Sequence, residues 1–216
     1  MDEPIQTLHF TTPVAESPPT GNTLFPIFLK LENFDLLIVG GGNVGLEKIT
    51  AVLRNSPATR VTLVGEKILP KIREFVADFE QVVLLEKTFE ESDLEGKQFV
   101  IAATNDKTLN RFIRQLAHER GILVNVADTP DECDFYLSSI VQKGDLKIAI
   151  STNGKSPTIA KRLKELLSDA LPDELNDLLQ NMPAIRSRLK GDFAEKVRTL
   201  NALTASLVAG EEALSA

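Results

Sequence analysis

One run of residues restricts this chain more than any other: Ile38-Val39-Gly40-Gly41-Gly42-Asn43-Val44-Gly45, with Gly40, Gly42 and Gly45 in GxGxxG spacing. It follows the apolar stretch Leu36–Val39 and opens a helical period over Val44–Leu53, the strand–turn–helix setting that gives the spacing its meaning. In that setting Gly40 permits a tight turn and Gly42 lets the backbone approach a pyrophosphate. Gly45 lets the helix sit close to its strand. The N-terminus of the helix offers free N–H groups and a positive dipole end to phosphates. A dinucleotide-binding α/β domain is the expectation.

The flanking pattern agrees. After Leu36–Val39, strand-like runs recur at Arg60–Val64, Val82–Leu85, Gln98–Ala103 and Ile122–Val126, with helical periods at Ile68–Phe79 and Thr108–Glu119 between them. The runs are continuously apolar rather than alternating, so both faces of the sheet are covered. Right-handed crossovers then give a Rossmann-type, doubly wound parallel sheet ordered 3-2-1-4-5.

In such a sheet an acid at the end of the second strand bonds the ribose hydroxyls. That strand ends Val64-Gly65-Glu66-Lys67, and Glu66 lies 21 positions beyond Gly45. The acid disfavours the extra phosphate of NADP whereas Lys67 tolerates it, and NAD is favoured. The ends of the fourth and fifth strands border the nicotinamide side, which brings Thr104 and Asn105 to the cofactor and Asp128 to the reacting position. Asp128 reads either as the carboxylate that takes or holds a proton, or as a turn aspartate bonding nearby backbone N–H groups. Asp106 reads as a helix N-cap, His118 as a helix-surface residue and Cys133 as a small, half-buried one.

Beyond Asp128 the rhythm changes. Ser138–Gln142 and Leu146–Ser151 read as a hairpin around Lys143-Gly144-Asp145. Asn153-Gly154 is a turn, and Ser156-Pro157 is a helix start with serine as N-cap and proline at the first helical position. Ile159, Leu163, Leu166 and Leu167 mark one apolar face of that helix. From Pro172 the remainder reads as helices, with Leu175, Leu178, Leu179, Phe193, Val197, Leu200 and Leu203 as core candidates and an end that frays near Glu211-Glu212. Residues 1–23 hold four of the eleven prolines and read as an extended arm.

The net charge of −7 lies wholly within residues 1–150, since residues 151–216 carry nine charges of each sign, which makes nucleic acid a poor partner. Between Lys155 and Lys164, however, there are four basic residues and no acid, read either as an anion anchor or as a solvated face. No apolar run reaches the roughly 20 residues of a membrane span. The single cysteine, Cys133, fits a reducing, cytoplasmic setting. With His9 and His118 it cannot build a His/Cys metal site.

Several runs together resemble the precorrin-2 dehydrogenase and sirohydrochlorin ferrochelatase family of sirohaem synthesis. They are Leu24-Phe25-Pro26-Ile27-Phe28-Leu29, Val39-Gly40-Gly41-Gly42-Asn43-Val44, Ala102-Ala103-Thr104-Asn105-Asp106, Asn125-Val126-Ala127-Asp128 and Ser151-Thr152-Asn153-Gly154-Lys155-Ser156-Pro157. The resemblance spans about residues 24–205. It implies NAD-dependent oxidation of precorrin-2 to sirohydrochlorin, with Fe²⁺ inserted afterwards in some members. It also implies a homodimer, built through a small α+β dimerisation segment and followed by a C-terminal helical domain. The organisation expected is an arm at 1–23, an NAD-binding Rossmann domain at 24–137, the dimerisation segment at 138–170 and the helical domain at 171–216.

By position, the resemblance puts the important aspartate on Asp128 and dinucleotide contacts on Gly42, Asn43, Val44, Glu66 and Lys67. A serine that some members phosphorylate falls on Thr152. Precorrin-2 carries eight carboxylates, and the loop Ser151, Thr152, Asn153, Gly154, Lys155 and Ser156, with Lys161 and Arg162 beyond it, offers cationic and N–H anchors. The rival expectation is a nucleotide-sensing Rossmann module without catalysis; against it stand the hairpin and helices after residue 137.

Overall fold

The computed structural model describes residues 21–173 and 175–203, so most of the expected N-terminal arm, His9 and the Glu211-Glu212 end lie outside the described residues. Five strands form one parallel sheet: β1 (Asp35–Val39), β2 (Arg60–Gly65), β3 (Val82–Glu86), β4 (Phe99–Ala102) and β5 (Leu123–Val126), in the order β3-β2-β1-β4-β5. The crossovers run through α1 (Asn43–Asn55), α2 (Pro70–Phe75) and α3 (Lys107–Glu119), with a short 3-10 turn at Glu91–Leu94 before β4.

The continuous apolar strands are buried on both sides. Leu36, Ile38, Leu63, Phe99 and Ile101 face one layer with Ile49, Val52 and Leu53 of α1 and Ile72 of α2. Leu37, Val39, Val100 and Ala102 face the other, with Ile113, Leu116 and Ala117 of α3. A parallel sheet with apolar side chains on both faces needs such cover, because neither face can meet water. Phe99 also stacks edge-on with Phe34 and Phe135 at centroid distances of 5.3 and 5.5 Å, which ties the segments before β1 and after β5 to the core.

The expected helix over Ile68–Phe79 is shorter, Pro70–Phe75. Leu69, preceding a proline, is held extended at φ −55°, ψ 137°. At the other end Phe79 N–H bonds Val76 O at 2.9 Å and turns the chain toward β3. The caps are as read: Asp106 Oδ1 accepts from Thr108 and Leu109 N–H, and Ser156 Oγ accepts from Ile159 N–H.

The hairpin β6 (Ser139–Lys143) and β7 (Leu146–Ile150) is antiparallel and carries α4 (Pro157–Ala170), burying Val141 and Ala160. The apolar stripe of α4 is not buried in the single chain: Leu166 is 62% exposed, and Ile159 and Leu163 are exposed too. The core candidates of α5 (Leu175–Arg188) and α6 (Phe193–Leu203) fare likewise, with Phe193 73% exposed and Leu179 and Val197 exposed. Leu175, Leu178 and Leu200 are half-buried, and the side chain of Leu203 lies outside the described residues. Two helices without a sheet beneath them cannot cover their own apolar stripes.

Burial this uneven predicts uneven sensitivity to truncation. Ile101→Ala, at a fully buried position of β4, is expected to cost about 2–5 kcal/mol in denaturant unfolding. Val83→Ala, on the exposed side of edge strand β3, is expected to stay within about 0.5 kcal/mol of the parent.

Candidate functional site

The carboxyl ends of the central strands are tied into one row. Gly40 N–H bonds Val64 O at 2.8 Å, Ala103 N–H bonds Val39 O at 2.8 Å, and Ala127 N–H bonds Ala102 O at 2.9 Å. Each bond extends the ladder one residue past a strand, so Gly40, Ala103 and Ala127 stand side by side. Gly41, Thr104 and Asp128 follow them, at the place where the strand order reverses and ligands bind in such sheets.

The glycine turn has the form a dinucleotide requires. Gly40 has φ +124°, and a Cβ on it would lie 2.3 Å from Ala103 O. A Cβ on Gly45 would lie 1.9 Å from Gly40 O, which explains the glycine at the start of α1. Gly42 is different: among the described residues, no atom beyond its chain neighbours stands within 4 Å of where its Cβ would be, so its face is open. As N-cap it has no side chain to occupy the leading N–H groups of α1, which begins Asn43-Val44, and no acid stands in the first turn. Open space beside free N–H donors at a positive helix end fits a pyrophosphate.

Beside this turn β2 ends at Gly65, leaving Glu66 and Lys67 exposed in the following loop. The loop is pinned by Leu69 N–H to Gly41 O at 3.0 Å and by Ile68 N–H to Glu86 Oε1 at 3.1 Å. Glu86 also pairs with Arg73 at 2.5 Å. The sequence reading missed Glu86. Its signal was an acid closing an otherwise apolar strand beside β2, which makes it a second candidate for the ribose position; its oxygens already accept from Ile68 N–H and Arg73, whereas Glu66 is exposed in the loop.

After β4, Thr104 donates from Oγ1 to Asn110 Oδ1 at 2.7 Å and accepts from Asp106 N–H at 3.2 Å. Its hydroxyl shapes the loop, and Asn110, buried on α3, is what holds it. Asn105 is exposed at the tip. After β5, Thr129 N–H closes a turn on Val126 O at 3.3 Å, with Asp128 in the left-handed region at φ +58°. Asp128 is exposed, and no hydrogen bond from the described residues engages its carboxylate, so the turn-aspartate alternative has no bond to rest on.

The loop after β7 lies against the Asp128 turn: a Cβ on Gly154 would sit 3.3 Å from the Pro130 ring. Thr152 Oγ1 accepts Ser156 N–H at 3.3 Å, Ser151 Oγ accepts Asn153 N–H at 3.2 Å, and Asn153 takes φ +53°. Ser151, Thr152 and Ser156 thus shape the loop and its helix start, leaving Lys155 exposed. Arg162 is engaged by Glu165 at 2.7 Å on its own helix and is a weaker anchor than the sequence suggested. His118 is more than a surface residue, since it pairs with Asp134 at 2.9 Å. Among the described residues no helix is long and apolar enough to cross a membrane.

Comparison with known proteins is consistent with this geometry. The family model described as "Putative NAD(P)-binding" matches residues 27–139, and that of "Sirohaem biosynthesis protein central" matches residues 143–170. Proteins named siroheme synthase from Psychromonas ingrahamii and Nitrosococcus oceani are 39% and 38% identical over 165 residues. Each comparison covers 76% of this chain but 34% and 35% of the relative. The one from Methylococcus capsulatus is 37% identical over 80% of this chain and 34% of its own length. The chain therefore spans about a third of the curated relatives it matches. The solved structure of SirC, precorrin-2 dehydrogenase, superposes with a TM-score of 0.68 at 28% identity, covering 83% of this chain and 89% of that one. With the NAD(P)-binding domain over half its length and the sirohaem-biosynthesis segment directly after it, the chain belongs to the siroheme synthase and precorrin-2 dehydrogenase family.

Proposed function

We propose that this protein oxidises precorrin-2 to sirohydrochlorin, with NAD as the hydride acceptor and Asp128 as the group that takes the proton. The observation that carries the reading is the meeting of three parts at one edge of the sheet: the open face of Gly42, the unengaged carboxylate of Asp128, and the 151–156 loop seated on Pro130. A purely sensing module needs only the first. The names of the relatives supply the substrate class.

The chemistry requires the loss of a hydride and a proton from the macrocycle. Gly42, Asn43 and Val44 would hold the pyrophosphate, Glu66 the ribose, and the Thr104-Asn105 tip the nicotinamide side. NAD, when bound, supplies the hydride-accepting ring. Asp128, exposed at the strand ends and with no hydrogen bond to its carboxylate among the described residues, receives the proton. Lys155 and the N–H groups at the start of α4 face the same loop and offer charge to the substrate's carboxylates. Fe²⁺ insertion into the product by the same site is the companion proposal. Among the described residues no group of three or more His, Cys, Asp or Glu is placed to hold a metal, so the macrocycle's own nitrogens would receive it.

The working form we propose is a homodimer. Its support is the apolar surface left bare by one chain: Phe25 at 85% exposure with Ile27 and Phe28, and Ile159, Leu163 and Leu166 on α4. Leu166→Glu is expected to halve the mass in light scattering. An unchanged mass would remove this face from the interface.

Two further outcomes test the active site. Gly42→Ala, whose Cβ meets no atom of the described residues beyond its chain neighbours, is expected to fold and to weaken NAD binding by about tenfold or more in a direct titration. Asp128→Asn is expected to lower the rate of NADH formation with precorrin-2 by about 10²–10⁴-fold while leaving NAD affinity unchanged. Nearly full activity in Asp128→Asn would return that residue to a turn position.

A further inference from the structure

We infer that Cys133 and Asp134 are positioning residues for Asp128, building with their side chains the missing neighbour of edge strand β5; this deepens the reading of Asp128 as proton acceptor and rests on it. β5 ends the sheet, and the outer side of an edge strand carries N–H and C=O groups with no ladder partner. Here the segment after the Asp128 turn returns along that side. Asp134 N–H bonds Val124 O at 2.8 Å, and Asp134 Oδ2 accepts Val124 N–H at 2.8 Å. Two residues along, Cys133 Sγ accepts Val126 N–H at 3.2 Å and lies 3.2 Å from Val126 O. Asn125, pointing between them, donates to Phe135 O at 2.8 Å. The outward N–H groups of Val124 and Val126, one strand period apart, are thus both satisfied by side-chain atoms, while the Val124 carbonyl takes the Asp134 main-chain N–H.

The thiol does something a strand neighbour would not. It reaches Val126 O at 3.2 Å and Thr129 O at 3.3 Å, the carbonyls at the two ends of the turn that contains Asp128. Asp128 sits between them at φ +58°, a left-handed conformation that aspartate tolerates better than most residues with a Cβ but that still costs more than in glycine, so bonds at both ends of the turn help to hold it. Burial, the largest influence on Cys133, holds its pKa above the usual thiol value and keeps the S–H proton available for donation. The other anchor is fastened from outside the loop, because His118 on α3 holds the Asp134 carboxylate at 2.9 Å. Val126 is buried, so loss of the thiol strands its N–H without a water to replace it, and the turn opens.

The test is a double-mutant cycle with precorrin-2 and NAD, using Cys133→Ala, Cys133→Ser, Asp128→Asn and the Cys133→Ala/Asp128→Asn pair. Cys133→Ala is expected to lower kcat by about 10- to 100-fold, the cost of a displaced reacting group. The NAD dissociation constant, measured by titration, should stay within about twofold, since the glycine turn is untouched. Serine, which keeps a donor and an acceptor at this place, should recover most of the rate. In the Asp128→Asn background Cys133→Ala should cost nothing further. The inference is overturned if Cys133→Ala matches the parent, if serine does no better than alanine, if NAD affinity falls in parallel with kcat, or if the loss persists in the Asp128→Asn background. Near-full activity of Asp128→Asn alone instead overturns the reading of Asp128, and this inference with it.

Discussion

The approach of Gly40 to the Ala103 carbonyl is the contact on which the functional edge of the molecule depends. β1 and β4 are hydrogen-bonded neighbours, and the chain leaving β1 must turn directly over the end of β4. A side chain at residue 40 would overlap the carbonyl oxygen, and an ordinary φ would send the chain elsewhere. With glycine there, Ala103 bonds Val39, Ala127 bonds Ala102, and the three strand ends become level. That levelling brings the N-terminus of α1 and the turn carrying Asp128 to one crevice, although Gly45 and Asp128 lie 83 positions apart in the chain.

Electrostatics at this edge run against the charge of the whole chain. The protein carries −7, yet both groups proposed to bind here, a dinucleotide and an octacarboxylate, are anions. Backbone N–H groups at the start of α1, with no acid in its first turn, and the start of α4 with Lys155 supply attraction over a few ångströms, where it counts most. The acids nearest the dinucleotide do not oppose it. Glu86 is held by Ile68 and Arg73, and Glu66, exposed after β2, is the acid proposed above to accept from the ribose hydroxyls. The exposed apolar residues of α4 and of the 24–29 segment are the surface proposed above to meet a second copy.

Much of this was legible in the residues. Continuous apolar runs and the glycine spacing carried the sheet and its order, and Asp106 and Ser156-Pro157 announced their helices because a cap is local chemistry. Where prediction strayed, spacing along the chain did not display the turn or partner that decided the outcome. The helix expected over Ile68–Phe79 was cut to Pro70–Phe75 by the proline that holds Leu69 extended and by the turn at Phe79. Leucines and Phe193 in α5 and α6 had the spacing of a core but no layer to cover them. Glu86 and Asn110 were passed over because their partners, Ile68 and Thr104, are brought to them only by the fold or by a loop conformation that spacing does not display.

The amino-acid sequence determined a parallel doubly wound sheet, a glycine turn between its first strand and helix, and a carboxylate just past the end of its last strand, because periodicity, glycine spacing and capping act within a few residues. Tertiary structure alone decided that the 151–156 loop rests on Pro130, that Glu86 is engaged while Glu66 is exposed, and that Cys133 and Asp134 close the edge of β5 around Asp128. Those outcomes depend on which hydrogen-bonding groups meet across the fold, and a thiol or a carboxylate read along the chain carries no mark of the backbone it will hold.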